Sequence, residues 1–116
     1  MLVKLCDTLF SLYIRTRDKK QYGGCPFCGK SIDCCFHFFS RVNYATRWDE
    51  DNAVGSCVGC NMRMEYAPFP YYQWFKDNRG EAALEALNRK HNQIGKFSNS
   101  DLQEIAAKYR KLLESK

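Results

Sequence analysis

Four cysteines in two Cys-x-x-Cys pairs form the strongest chemical pattern in the sequence. The pairs are Cys25 with Cys28 and Cys57 with Cys60. Each pair lets two sulfurs from one tight turn reach the same ion, and four sulfurs complete the tetrahedral coordination that Zn²⁺ prefers. Disulfides are the alternative, but no secretion signal is evident and a reducing compartment disfavours them. The pattern therefore predicts a structural zinc site.

The segment between the pairs carries residues whose types suit phosphodiester chemistry. The pairs are separated by 28 residues, more than the roughly 15–20 of common zinc ribbons, which leaves room for a functional insert. His37, Asn52, Asn61 and Glu65 follow one another with 14, 8 and 3 residues between them. A neutral imidazole can take a proton from water near neutral pH. Asn61 and Glu65 lie one helical turn apart, and their oxygens would favour Mg²⁺ or Mn²⁺.

The order and spacing of these residues resemble the HNH, or ββα-metal, nuclease signature. In that signature, a His is followed by an Asn and then by two metal ligands one helical turn apart. The blocks HFFSR, ATRWDEDN, CVGCN and LFSLYIRTRDK are similar to those of the lambdoid-phage NinG/Rap recombination endonucleases, and the resemblance covers nearly the whole chain. It implies that His37 is the general base and that Asn52 braces the loop that orients it. It also implies that Asn61 and Glu65 hold the catalytic cation.

The resemblance carries expectations about fold and substrate. It implies an α+β fold with a zinc-stapled ββα-metal (HNH) core, flanked by N-terminal and C-terminal helices in a single domain, 1–116. The expected activity is metal-dependent DNA cleavage, directed at branched recombination intermediates such as Holliday junctions and D-loops. The expected location is the cytoplasm of the host cell if a phage encodes the protein. Two alternatives stay open: an HNH endonuclease for linear or sequence-specific duplex DNA, and a non-catalytic zinc module that binds DNA or protein.

One position departs from the HNH signature. HNH enzymes often carry an Asp or His directly before the catalytic His, where it serves as a metal ligand. Phe36 occupies that position here and cannot bind a metal. Asp33, Cys34 and Cys35 are nearby groups that could take its place.

Length, hydrophobic content and net charge indicate a single folded domain that could bind a polyanion. At 116 residues and 45% hydrophobic content the chain fits one folded domain, and its net charge of +5 suits a polyanion such as DNA. Arg41 and Arg47 are candidate phosphate contacts. Trp48 suits base stacking and a buried core position equally well. The apolar run from Leu9 to Ile14 is too short to span a membrane.

Periodicity predicts the elements that position these groups. We expect an N-terminal helix over 2–17, a zinc-bound ββα core over 25–66 and a helical part over 70–116. Within the core, a hairpin over 31–48 should place Cys35 and His37 on one side of a strand and Phe36 and Phe38 on the other. A helix after Cys60 should carry Asn61 and Glu65.

The C-terminal part is predicted to contain three helices. An aromatic one runs from Tyr71 to Asp77, a second from Glu81 to His91, and the last is capped by Ser98 or Ser100. Resolving a four-way junction takes two nicks, so we expect a homodimer that uses the Tyr71 to Phe75 run and the Leu102 to Leu113 stripe.

Overall fold

The computed structural model describes residues 1–115, which form a helix-rich α+β fold with one two-stranded sheet. The elements in chain order are α1 (Leu2–Tyr22), β1 (Cys34–His37), α2 (Tyr44–Arg47), a 3₁₀ helix (Glu50–Asn52), β2 (Ala53–Ser56), α3 (Val58–Arg63), α4 (Phe69–Arg79), α5 (Glu81–His91) and α6 (Asn99–Glu114). The expected α+β class is confirmed. Residue 116, the last of the predicted helical part 70–116, lies outside the described residues. Within the described part, no helix combines the length and apolarity needed to cross a membrane.

Helix α1 is five residues longer than the predicted 2–17. It ends at Gly23, whose φ of 78° is the left-handed conformation that glycine adopts most readily, and whose N–H donates to the carbonyl of Lys19. The buried face is formed by Cys6, Phe10, Ile14 and Asp18, one residue per turn. Leu12 lies outside this face and is exposed.

The sheet pairs β1 with β2 in antiparallel register, with Phe36 opposite Val54 and His37 opposite Ala53. The predicted hairpin over 31–48 is wrong, because its second strand lies at 53–56 and the intervening segment forms short helices. Local side-chain caps explain the difference: Asn43 accepts from the N–H of Ala45 at 2.9 Å, and Asp49 from that of Asp51 at 2.9 Å. Such caps favour helical turns over strand pairing.

Helix α1 is tied directly to β2 at Gly55. The N–H of Gly55 donates to the buried carboxylate of Asp18 at 2.7 Å, and Arg17 forms an ion pair with the same carboxylate at 2.8 Å. A Cβ at position 55 would lie 2.7 Å from a side-chain carbon of Ile32 and 3.3 Å from the Cβ of Asp18, so a larger residue would crowd both the segment before β1 and α1. The close packing fixes one face of the sheet against α1.

Apolar side chains on the two faces of the sheet belong to two separate cores. Phe36, Phe38 and Val54 pack with α4 and α5 and with three of the paired cysteines, Cys25, Cys57 and Cys60. Ala53 packs with residues of α1 and α6, and Cys35 lies against this second core. The predicted alternation along β1 is confirmed, and His37 faces the α1 side, with its ring 6.0 Å from that of Phe10.

The C-terminal helices use most of their apolar surface inside the molecule. Helix α4 is longer than predicted and ends at Gly80, while α5 has the predicted bounds. Helix α6 begins after Ser98, which forms a capping box with Asp101. The side chains of Tyr71, Phe75, Leu102, Ala106 and Tyr109 are buried. The surface that the sequence analysis assigned to a dimer contact therefore mainly closes this domain.

Candidate active site and metal centre

The four paired cysteines come together as the sequence predicts. The Sγ atoms of Cys25, Cys28, Cys57 and Cys60 all lie within 4.8 Å of one another. Zn–S bonds of about 2.3 Å at tetrahedral angles place the sulfurs about 3.8 Å apart, so small shifts of the sulfurs would let the group hold the ion. Cys28 is exposed and the other three are buried. The arrangement fits a structural zinc site.

Each cysteine pair is shaped by its own backbone. In the first turn, Gly29 has a φ of 83° and donates its N–H to the carbonyl of Cys25 at 2.7 Å. In the second, Cys57 caps α3, and its sulfur accepts from the N–H of Cys60 at 3.3 Å. Burial acts to raise the pKa of Cys57, but this N–H and the neighbouring thiols outweigh it and lower the pKa to about 7. Burial raises the pKa of Cys25 and raises that of Cys60 to about 12, so metal binding must displace protons from these two thiols.

Two groups outside the four ligands also contact the cysteine cluster. Arg63 donates from Nη2 to the sulfur of Cys60 at 3.1 Å and from Nε to the hydroxyl oxygen of Tyr71 at 3.2 Å. A guanidinium beside a thiolate offsets part of the negative charge that four cysteines bring to Zn²⁺. Neither residue was predicted to contact the cysteines, although Arg63 follows Cys60 by one helical turn.

A cleft of about 540 Å³ lies beside the sheet and brings together four of the predicted residues: His37, Arg41, Asn61 and Glu65. They come from the end of β1, the loop after it, α3 and the turn after α3. Asp7 and Ser11 of α1 form the facing wall. The cleft is therefore bounded by α1 on one side and by the region of α3 on the other.

The imidazole of His37 is held in one orientation. Its Nε2 lies 3.1 Å from the carbonyl oxygen of Arg47. Because a carbonyl can only accept, Nε2 carries the hydrogen and Nδ1 carries the lone pair. Burial lowers the pKa of His37, and the Arg41 guanidinium acts in the same direction, while Asp7 and the backbone groups of Arg47 and Cys35 oppose it. The imidazole is neutral at pH 7, which is the state a general base requires.

Asn52 is fully buried and holds the loop between β1 and α2. Its Oδ1 accepts from the N–H of Phe39 at 2.8 Å, and its Nδ2 donates to the carbonyls of Phe39 and Thr46 at 2.9 and 3.1 Å. The loop thus held leads to Arg47, whose carbonyl orients His37. This arrangement supports the bracing role that the resemblance implied, and the catalytic consequence stays a prediction.

The expected helix that carries both Asn61 and Glu65 is shorter than predicted. Helix α3 ends at Arg63, and Glu65 lies in the following turn, where its N–H donates to the carbonyl of Met62 at 3.3 Å. Both side chains are exposed and line the cleft. Among residues 1–115, the four cysteines are the one group of three or more His, Cys, Asp and Glu side chains close enough to share an ion. Binding of a second cation by Asn61 and Glu65 stays a prediction.

Phe36 and its three proposed substitutes occupy different surroundings. Phe36 is 0% exposed and packs in the core on the face of the sheet away from His37. Cys35 lines the cleft, but burial raises its pKa to about 12. It therefore stays a neutral thiol and a poor ligand. Asp33 is exposed and Cys34 half-buried, and neither lines the cleft.

The two arginines proposed as DNA contacts differ. Arg41 is exposed at the mouth of the cleft. The guanidinium of Arg47 is 15% exposed and is bound to Asp7 by Nε at 2.9 Å and Nη2 at 2.5 Å, while Nη1 donates to the carbonyl of Arg41 at 3.0 Å. A DNA contact by Arg47 would have to break this ion pair. Arg41 is thus the better placed of the two.

The comparisons with known proteins identify the family. A family model described as Bacteriophage Lambda NinG protein matches residues 2–116. This chain belongs to the NinG family. The search of curated proteins and the search of solved structures gave no match.

The NinG match extends beyond the segment that carries the HNH-like pattern. It begins at residue 2 and therefore includes α1, which supplies Asp7 to the cleft. Asp7 was not among the predicted site residues, although it is a charged residue beside the buried helix face of Cys6 and Phe10. Trp48, for which base stacking and burial were both expected, lies in the second core, where its Nε1 donates to Asp7 at 3.0 Å.

Proposed function

We propose that this NinG-family protein is a metal-dependent DNA endonuclease of the HNH type. The observation that carries the proposal is the cleft in which His37, Arg41, Asn61 and Glu65 meet, with the imidazole held by the Arg47 carbonyl. The order β1, β2, α3 agrees with a ββα unit, and the four cysteines would hold Zn²⁺ at its base. Zinc would then fix the position of α3 and leave catalysis to the cleft.

His37 acts as the general base in this mechanism. A water molecule attacks the phosphorus, and its proton passes to Nδ1 of His37, the nitrogen that carries the lone pair. The bond from phosphorus to the 3′-oxygen breaks, and the leaving oxygen keeps the electron pair and later takes a proton from solvent. Arg41 contributes positive charge beside the phosphate.

Asn61 and Glu65 would hold Mg²⁺ or Mn²⁺. One carboxylate and one amide oxygen suffice when waters and a substrate phosphate complete the coordination shell, which is common for Mg²⁺ sites. Such an ion, when bound, supplies charge stabilisation at the phosphate and the leaving oxygen. Both side chains reach the cleft from the α3 region, whose position depends on Cys57 and Cys60.

The substrate is proposed to be branched DNA, in keeping with the resemblance to phage recombination endonucleases, and the place of action to be the host cytoplasm. The residues of the cleft support a reaction at a phosphate group. The preference for branched DNA rests on the resemblance alone. A homodimer would supply the two active sites that paired nicks require. Any dimer contact would have to use other surface, since the predicted apolar stripes are largely buried. Apolar side chains that stay exposed include Val58, Met62, Tyr66 and Phe69.

A cleavage assay tests the proposal. Purified protein with added Mg²⁺ should nick a four-way junction or a D-loop, and His37→Ala should remove the activity while binding of the same DNA changes little, because binding rests on phosphate contacts. His91→Ala is the matched control, since His91 is the other histidine of the chain and does not line the cleft. Its ring packs on Phe39 and lies 3.4 Å from the hydroxyl of Thr46, so the control also reports on the loop that Asn52 holds. Cleavage by His37→Ala at the wild-type rate would refute the assigned base.

The same assay separates the two alternatives. Equal cutting of a linear duplex of the same sequence would favour an HNH enzyme without branch selection. DNA binding without cleavage in Mg²⁺ and in Mn²⁺ would favour the non-catalytic zinc module.

A further inference from the structure

Asp7 is a carboxylate in the cleft that accepts hydrogen bonds from two consecutive residues, Arg47 and Trp48. Its Oδ1 accepts from Nε of Arg47 at 2.9 Å and from Nε1 of Trp48 at 3.0 Å, and its Oδ2 accepts from Nη2 of Arg47 at 2.5 Å. The ion pair joins α1 to the end of α2, 40 positions away in the chain. A two-point contact of this kind fixes the guanidinium in direction as well as in distance.

Arg47 links this ion pair to the proposed general base. Its side chain is bound by Asp7, while its backbone carbonyl accepts the hydrogen from Nε2 of His37. Arg47 is the last residue of α2, where the peptide group is not fixed by further helical turns. A side chain anchored on α1 therefore limits rotation of the peptide whose carbonyl selects the tautomer of His37.

We propose that Asp7 is a positioning residue that acts on His37 through Arg47, so that α1 forms part of the active site. The proposal deepens the proposed function and rests on the role given there to His37. With the Asp7 contact intact, Nε2 keeps its hydrogen and Nδ1 faces the reacting water as a base. Without it, the Arg47 carbonyl can turn away, and the imidazole can adopt either tautomer.

The charge state of the pair suits this role. Burial acts to raise the pKa of Asp7, but hydrogen bonds from Arg47 and Trp48 and the charge of Arg47 outweigh it and lower the pKa. The carboxylate is therefore ionised at neutral pH and keeps its contact with the guanidinium. Trp48 adds a neutral donor, and its indole is buried in the second core, which restrains Asp7 as well.

A rival role for Asp7 is direct coordination of the catalytic cation, because it lines the same cleft as Glu65. Its oxygens already accept three hydrogen bonds, two of them from a cation, and this weakens its capacity as a metal ligand. A second rival role is simple attachment of α1 to the domain. Each of these two roles would give a result different from that of a positioning residue in the measurements below.

The first measurement reads the tautomer of His37 without any DNA. Long-range ¹H–¹⁵N correlation spectra of histidine-labelled protein should show one Nε2–H tautomer for His37 in the wild type and a mixture in Asp7→Asn. His91 serves as an internal reference. Cys6→Ala is the matched control, because Cys6 is the neighbouring residue on α1 and donates to the carbonyl of Leu102 on α6 at 3.2 Å. It loosens α1 and should leave the His37 tautomer unchanged.

The second measurement reads cleavage. Asp7→Asn should lower kcat by about 100-fold, as expected for a misplaced catalytic group, and change KM for DNA by no more than about twofold, since no substrate contact is lost. In a His37→Ala background, Asp7→Asn should cause no further loss, because both act through the same group. Asp7→Glu should recover part of the rate.

The outcomes divide cleanly. An unchanged His37 tautomer in Asp7→Asn overturns the proposal, whether the rate falls or not, and an accompanying rise in the Mg²⁺ requirement would assign Asp7 to the cation instead. The proposal is also overturned if Cys6→Ala changes the His37 tautomer as much as Asp7→Asn does, because general loosening of α1 would then explain both results. If Asp7→Asn does not fold, Arg47→Lys tests the same link, because lysine keeps the charge and the backbone carbonyl but lacks the two-point contact. If the wild type cuts no DNA, the proposed function fails while the spectra still decide the tautomer link.

Discussion

Replacement of Asn52 by Ala should strongly destabilise the protein. The side chain is 0% exposed and is bound to three backbone groups: the N–H and carbonyl of Phe39 and the carbonyl of Thr46. Each buried group left without a partner costs about 1–3 kcal/mol. Local relaxation and entry of water favour the low end, so we expect a loss of about 3 kcal/mol in the free energy of unfolding. Such a loss is a large part of the roughly 5–15 kcal/mol that a domain possesses.

Urea unfolding followed by circular dichroism measures this loss. With a slope of about 1.5 kcal/mol per molar, the midpoint should fall by about 2 M. Asn52→Asp separates hydrogen bonding from packing, because it keeps the shape and the acceptor and removes both N–H donors. It should cost nearly as much at neutral pH. Asn61→Ala is the control, since Asn61 is exposed and its loss should change stability by less than about 0.5 kcal/mol.

The contrast between the two asparagines also tests the site. Asn61→Ala should keep the stability and lose cleavage, whereas Asn52→Ala should lower both the stability and the cleavage rate. A fall of less than about 1 kcal/mol for Asn52→Ala would mean that Phe39 and Thr46 find other partners, and the reasoning on loop bracing would then be refuted.

Three further predictions concern the metal, the base and the assembly. Purified protein should contain about one zinc per chain, as four thiolate ligands require, and chelation should unfold the region around the sheet and α3; a folded, zinc-free protein would disprove this. The cleavage rate should rise with pH and level off by about pH 7, because the base must be neutral and burial holds the pKa of His37 below its ordinary value of about 6.5; a half-maximal rate above pH 7 would exclude His37 as this base. Light scattering at micromolar concentration, with and without junction DNA, should show a dimer in the active form, and a monomer in both states that still makes paired cuts would contradict it.

The cysteine cluster and several helix ends were predictable because their signals are local. A Cys-x-x-Cys pair closes its own turn, so the pairing of Cys25 with Cys28 needs no knowledge of the rest of the fold. The bounds of α5 follow from Gly80 before it and from an amphipathic pattern of normal length. These features depend on a few consecutive residues, and tertiary packing only reinforces them.

The second strand and Asp7 were missed because their causes are not local. Residues 53–56, Ala-Val-Gly-Ser, include three small residues and resemble a loop in composition. All four are nevertheless buried, between α1 and the core that contains Phe36 and Cys60. Small residues are required there by close approach, as Gly55 shows, and not by strand propensity. The partner of Asp7 lies 40 positions away. No periodicity in α1 could indicate that the carboxylate meets Arg47.

The candidate site lies where two independently supported parts of the molecule meet. One wall of the cleft comes from the α3 region, which carries Asn61 and Glu65 and whose start is fixed by Cys57 and Cys60. The other comes from α1, which packs on α6 in the second core and carries Asp7. His37 stands between them at the end of β1. Loss of zinc should therefore displace the proposed cation ligands and, through the sheet, the base as well. Loss of the Asp7 contact should disturb the base and leave the cation ligands in place. The cation ligands thus depend on the cysteine-bound part of the fold, whereas the base depends on that part and on α1.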